Sequence, residues 1–429
     1  MKALQDMFRH PRQDALAGVV VFLVAVPLCL GIALASGVAP VSGLVAGVVG
    51  GLVVPFLSRS PLSVTGPAAG LTAVVVFEVA ALGSFERFLT ATMLAGALQV
   101  VLGIVRAGRL ARWVPASVIK GMLAAIGLLI VWKQVPVVLG AQDLAHVAGA
   151  WAPGPMVVAA VAFVMLFGWN LTPLARFALL PPAIAVVVVC GVLAAGLATA
   201  PALALRPEHF VEVPLGGWSA LRAVLPAPDA SAFGDPMVWR VAFIVAFVAS
   251  IETLLSLQAI DGLDPLGRTS PPNRELFAQG FANMASGWLG GLPVTAVIVR
   301  SGANLEAGGR ERMSALVHGV LLLVAVLHAG SLLRLIPLAC LAAVLVQVGM
   351  KLASPRLFRD EWRAGWTTFV PFVGTIAAVL ATDLLKGVVA GIALELTVRI
   401  VSGQRGASPV KVQETDAVIT GEVLERSDP

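Results

Sequence analysis

The chain has 429 residues, of which 58% are hydrophobic and only 12% charged, with a mean hydropathy of +0.93. Soluble domains carry about 25% charged residues, so this composition excludes a soluble globular enzyme, a disordered chain and a coiled coil. The net charge of +5 fits a basic excess in cytoplasmic loops better than a nucleic-acid surface, and apolar runs without alternation exclude a transmembrane β-barrel.

At about 20 apolar residues per crossing, the chain reads as an all-α polytopic membrane protein. Charged, Pro and Gly punctuation predicts seven spans at 14–36, 39–57, 66–81, 88–105, 114–132, 155–171 and 180–198. A polar, Pro-rich connection, Ala200–Pro236, follows. Seven more spans are predicted at 237–258, 275–289, 296–306, 314–329, 334–350, 366–381 and 384–401. The first run is longer than the apolar part of a signal peptide, so no cleavable leader is expected. Cys29, Cys190 and Cys340 each sit inside an apolar run and read as small buried hydrophobes, not disulfide partners or metal ligands.

The cations test this count. With the N-terminus cytoplasmic, 20 of the 29 Lys and Arg fall inside, among them Arg109, Arg112, Arg176 and Arg359. Seven fall outside, and Lys120 and Arg300 lie at membrane depth. That asymmetry predicts an even number of spans with both termini cytoplasmic; the expected location is the cell inner (plasma) membrane.

Two spans are abnormal and are third in their half. Pro61-Leu62-Ser63-Val64-Thr65-Gly66-Pro67 precedes one, and Gly290-Gly291-Leu292-Pro293-Val294-Thr295 precedes the other. Pro and Gly forbid a regular helix there, and an odd repeat length inverts the second half relative to the first. Paired interrupted segments in inverted halves point to the site of a secondary transporter. Two half-helices starting near Gly66–Ala68 and Thr295–Val297 would aim free N–H groups at one midplane point, a place for an anion. The candidate substrate residues are therefore Thr65, Gly66, Pro67, Ala68, Ala69, Thr295, Ile298, Val299, Arg300 and Ser301. Thr65 and Thr295 either cap the half-helices or add hydroxyl contacts.

Arg300 is the sharpest single residue, since an intramembrane arginine is rarely tolerated without a partner or a wet cavity. It reads as substrate attraction, an internal replacement for a co-bound cation, or an ion pair with Glu252. Glu252 lies mid-span, with Ser256 one turn later on the same face; the pair reads as a coupling site for H⁺ or Na⁺, with a fixed structural pair as the alternative. Glu78, Gln99, Lys120, Glu395 and Arg399 near span ends read as snorkelling or packing residues. Asp261, Asp264, Arg268, Arg274 and Glu275 read as a solvated cytoplasmic connection. No metal cluster, nucleotide loop or nucleophile elbow is present, so no cofactor and no enzymatic chemistry are expected.

Ser63-Val64-Thr65-Gly66-Pro67-Ala68-Ala69-Gly70-Leu71 resembles the third-span signature of the SulP anion transporters, relatives of the mammalian sulfate, chloride and bicarbonate carriers that include prestin. Asp14–Gly18 with Pro27, Gly43-Leu44, Gly290–Thr295 with Arg300–Asn304, Ile336-Pro337-Leu338 and Thr382–Gly387 are similar in the same order. The resemblance implies 14 transmembrane segments in a 7+7 inverted repeat, with two half-helices meeting at the midplane. It implies a core at about 14–105 and 237–329 sliding against a gate at about 114–198 and 334–401. Many relatives carry an arginine at the place of Arg300 and an acidic coupling residue at the place of Glu252. This chain departs from the pattern at Leu28, where many relatives have Gln. The transporter unit is expected to span residues 1–403. The tail, 404–429, is too short for the STAS domain of most relatives.

The expected function is secondary active transport of a small anion such as sulfate, bicarbonate, chloride or a dicarboxylate. The expected partners are that anion, membrane lipid and a second copy of the chain, with no nucleic acid. An uncoupled anion channel or an exchanger would use the same residues. A nucleobase permease of this fold would place acidic side chains at both half-helices, which Arg300 argues against.

Overall fold

A computed structural model describes residues 6–108, 115–141, 152–172, 181–213, 217–382 and 384–402. Arg109, Arg112, Arg176, Asp383 and the 404–429 tail lie outside the described residues. Helices α1 (Pro11–Ala35) and α2 (Pro40–Leu57) each start on proline, whose missing N–H has no helical partner at that position anyway. The chain then runs through β1 (Thr65–Pro67), one 3₁₀ turn at Ala69–Leu71 and α3 (Thr72–Leu82). Gly83, at φ 77°, closes α3 in the left-handed conformation that glycine adopts without a Cβ clash. Next come α4 (Phe85–Ile104), α5 (Ala116–Val138), α6 (Pro153–Gly168) and α7 (Pro182–Leu197).

The polar connection holds a short helix, α8 (Gly217–Val224), and its Phe210 bridges to Pro337. The second half comprises α9 (Pro236–Leu263), α10 (Pro272–Trp288), β2 (Val294–Ala296), α11 (Ile298–Glu306), α12 (Met313–His328) and α13 (Gly330–Leu333). It ends with α14 (Leu338–Leu352), α15 (Pro355–Arg363), α16 (Trp366–Ala381) and α17 (Leu384–Val401). Among the described residues, six helical stretches are long and apolar enough to cross a membrane: α1, α2, α4, α5, α9 and Leu338–Arg363. Five more apolar segments are shorter, including Ala69–Leu82, α6, α7, α12 and α16. The chain is a helical membrane protein.

The all-α expectation needs one correction. The two interrupted segments are extended and pair as a two-stranded antiparallel sheet, Thr65 opposite Ala296, Gly66 opposite Thr295 and Pro67 opposite Val294. A chain that leaves its helix at membrane depth must satisfy its N–H and C=O groups within the protein, and each break does so with the other. The half-helices consequently begin later than the sequence reading placed them, at Ala69 and Ile298.

Packing groups the helices by small residues. α4 crosses α10, α1 and α2 cross α12, and α5 crosses α14. Paired glycines bring three of these crossings together. A Cβ on Gly96 would stand 2.5 Å from the Gly280 carbonyl, one on Gly51 2.5 Å from the Gly319 Cα, and one on Gly127 2.5 Å from the Gly349 carbonyl. Such close approach replaces the hydrophobic drive that lipid surroundings remove. Asp14 ties the start of α1 to the α11–α12 turn, accepting from the backbone N–H of Arg310 at 2.7 Å and of Glu311 at 2.9 Å.

Candidate anion site

The site is built where β1 and β2 cross. Arg300 sits in the first turn of α11 and is completely buried. Its side chain leans back toward the helix N-terminus, as helical Cα–Cβ bonds do. Nη2 donates to Cys29 Sγ of α1 at 3.4 Å and to the Pro67 carbonyl at 3.5 Å. Nη1 lies against the bare Cα of Gly66, and a Cβ there would fall on the guanidinium. Nε and Nη1 have no hydrogen-bond partner. A buried cation with two unsatisfied nitrogens is expensive, and an anion would supply the missing acceptors and charge.

The segments around Arg300 are cross-braced. Ser301 Oγ accepts from the Val64 N–H at 2.9 Å, the Val297 N–H donates to the Val64 carbonyl at 3.0 Å, and Asn304 Nδ2 donates to the Leu62 carbonyl at 3.0 Å. Thr65, Gly66, Pro67, Ala68, Thr295 and Ser301 are all buried here, with Ala69 and Ile298 half-buried. The Val299 side chain is 44% exposed, so only its backbone can serve the site.

Neither threonine caps a half-helix. The N-cap positions are Ala68 and Val297, without side-chain capping bonds. Thr65 instead accepts a hydrogen bond from Gln279 Nε2 at 2.7 Å, and Thr295 donates to the Ala296 carbonyl at 3.2 Å. The strand pairing draws both hydroxyls sideways, which leaves the leading N–H groups of the half-helices uncapped.

α9 touches both interrupted segments with consecutive residues. The Glu252 carboxylate lies against Gly70 of the 3₁₀ turn, where a Cβ would stand 2.6 Å from both of its oxygens. Its Oε2 is buried without a partner. Thr253 Oγ accepts from the Ala296 N–H at 3.3 Å. Ser256, one turn on, is buried. The ion pair between Arg300 and Glu252 is not formed, because the guanidinium turns to Cys29 and Pro67.

Sequence reading missed the polar stripe that holds the strands. Glu275, Gln279 and Asn283 recur every fourth residue on α10, a spacing that was itself the available signal. Asn283 accepts from the Val294 N–H at 2.7 Å and donates to its carbonyl at 3.0 Å, while also donating to Gln99 Oε1 at 2.7 Å. Gln99 in turn donates to Ser250 Oγ at 3.2 Å. Glu275 accepts from Ser58 and from Gln279.

The supposedly solvated connection is therefore a bonded junction. Asp261 holds Ser270, Arg268 binds Asp264 and Glu311, and Arg274 donates to the Leu57 carbonyl. Burial pushes the Glu311 carboxyl up from its ordinary value, with Arg268 beside it pulling the other way. Glu78 pairs with Arg240 at 2.8 Å, Lys120 with Glu361 at 2.7 Å, and Arg399 with Glu395 at 2.9 Å.

The sulfate permease family model matches residues 12–375, most of the chain and every residue of this site. The chain belongs to the sulfate permease family. YbaR of Bacillus subtilis is 29% identical over 91% of this chain and 77% of its own length. The bicarbonate transporter BicA of Picosynechococcus is 26% identical, covering 95% of this chain and 74% of its own. The solved transmembrane domain of a cyanobacterial bicarbonate transporter BicA superposes with a TM-score of 0.77 at 24% identity, over 89% of this chain and 98% of that one. That likeness concerns the fold.

Proposed function

We propose that this sulfate permease family member is a secondary active transporter of a small anion, which it carries through alternating access by sliding a core against a gate. Arg300 carries the reading: a completely buried guanidinium with two unpartnered nitrogens, at the crossing of two helix starts. Positive dipole ends and a fixed cation attract an anion without any covalent step. Relatives named as bicarbonate or sulfate transporters support a small oxyanion as the substrate class.

The fourteen-segment, 7+7 inverted reading assigns β1–α3 and β2–α11 as the third segments of the halves, both in the core. The helices α5, α6, α7, α14, α16 and α17 form the gate. Support comes from the seam between them, where α1 meets α14 through Gly31 and Leu345. Apolar contacts without directional bonds can slide. Glu252 holds the coupling H⁺ or Na⁺, with Ser256 as a second oxygen nearby. Both termini are cytoplasmic, the membrane is the cell's inner one, and two copies associate.

Uptake of labelled sulfate, bicarbonate and chloride into proteoliposomes, with and without pH and sodium gradients, tests this. Accumulation of one anion driven by a gradient is expected. Gradient-independent flux that never exceeds equilibrium would make the protein a channel, and no flux of any anion would end the anion reading.

A further inference from the structure

His318 lies in the middle of α12, completely buried, and neither ring nitrogen has a hydrogen-bond partner. Its neighbours on the same helix face fix where the ring stands. Ala315, three residues earlier, packs with Val21 of α1 and with Val64, which leads into β1. Leu322, four residues later, meets the open face of Gly47 on α2, where a Cβ would stand 2.8 Å from Leu322 and 2.7 Å from Cys29 Sγ. Residues 315, 318 and 322 form one stripe. That stripe places His318 on the face of α12 turned toward α1, α2 and β1.

The Arg300 guanidinium lies among the same three elements. It bonds Cys29 and Pro67, lies on Gly66, and Nη1 is 3.9 Å from a Cβ placed on Gly47. Of the other elements packed on α12, α1 adds Cys29 here and Asp14 at the start of α12, where it holds Arg310 and Glu311. α2 and α13 carry no charged residue, and α8 carries Arg222.

A second positive charge beside a bare arginine in a dry site is repelled. A bound anion removes that repulsion. With the coupling cation on Glu252, the remaining fixed charge is the single positive one of Arg300. A monovalent anion cancels it, whereas a divalent anion leaves one negative charge inside the membrane protein. We propose that His318 is a proton-accepting residue of the anion site, taking up one proton from solution on a ring nitrogen when a divalent oxyanion binds beside Arg300 and releasing it when that anion leaves. This rests on the anion-carrier reading above and adds to it a second titratable group, opposite in charge to Glu252.

The test uses the full chain, purified, with labelled sulfate as the divalent probe and labelled chloride as the monovalent one. Binding is measured from about pH 5.5 to 8, the range an imidazole spans, together with proton uptake in weakly buffered solution. In the wild type, sulfate binding should weaken by up to about tenfold per pH unit on the alkaline side and take up about one proton per anion. His318→Gln should bind sulfate weakly and independently of pH in this range, take up no proton, and lose far less affinity for chloride than for sulfate. Unchanged pH dependence or proton uptake in His318→Gln overturns the proposal. So does wild-type sulfate binding without a proton, which decides the matter if the variant does not fold. Wild-type binding of chloride but not sulfate overturns the His318 proposal alone, whereas failure to bind either anion overturns the anion-carrier reading with it.

Discussion

Arg300 and Glu252 stand on different elements, and each meets one glycine of the first interrupted segment. Gly66 gives the guanidinium its space, and Gly70 gives the carboxylate its own. Removing the charge in Arg300→Ala should weaken anion binding by about 100-fold, near 3 kcal/mol, in a protein that still folds. Equilibrium binding of a labelled anion, with a thermal-unfolding control, measures this, and unchanged affinity in a stable variant would contradict the role. Glu252→Gln keeps the shape but loses the charge and the proton. It should lose gradient-driven accumulation yet retain one-for-one anion exchange, which moves no net charge across a membrane potential worth about 2.3 kcal/mol per charge per 100 mV. Accumulation that survives in Glu252→Gln would remove it as the coupling residue. Both residues stood out in the sequence because each is an ionisable group inside an apolar run. Cys29, which accepts from Arg300, did not stand out, since it looks like an ordinary membrane-span residue, whereas Gly66 was already marked by the first break.

At the scale of elements, the strand pair depends on α10. Asn283 satisfies both the N–H and the carbonyl of Val294. Asn283→Leu would leave those groups unpaired where no water competes, at a cost of about 2–4 kcal/mol. The thermal midpoint in detergent should fall by several degrees, and anion affinity should fall with it because the Arg300 helix start moves. A variant with an unchanged midpoint would show that the pairing holds without its brace. The breaks were legible as Pro and Gly clusters, but their extended conformation was not. Each three-residue strand is too short to show an alternating pattern.

Across the whole molecule, the functional question is whether α1 moves past α14. Gly31 faces Leu345, with a Cβ on Gly31 placed 3.1 Å from the leucine side chain. A disulfide between Gly31→Cys and Leu345→Cys should stop transport and release it on reduction. Unimpaired flux in the cross-linked protein would rule out sliding at this seam. The proposed inverted topology has its own check. Asp229→Cys should react with an impermeant reagent only from outside, and Arg359→Cys only from the cytoplasm; labelling of both from one side would break the count of spans.

The sequence by itself determined the membrane class, the positions of most apolar helices, the two breaks and the two intramembrane charges. These are local properties: hydropathy along a run, a Pro or Gly that stops a helix, a charge where none is cheap. The tertiary structure alone decided that the breaks pair with one another, that Thr65 answers to Gln279, that Arg300 turns to Cys29 and Pro67, and that His318 is buried without a partner. Arg300 and Pro67 are 233 residues apart. No local pattern encodes a contact of that separation, because it exists only once two halves of the chain have packed and fixed which face of each helix looks inward.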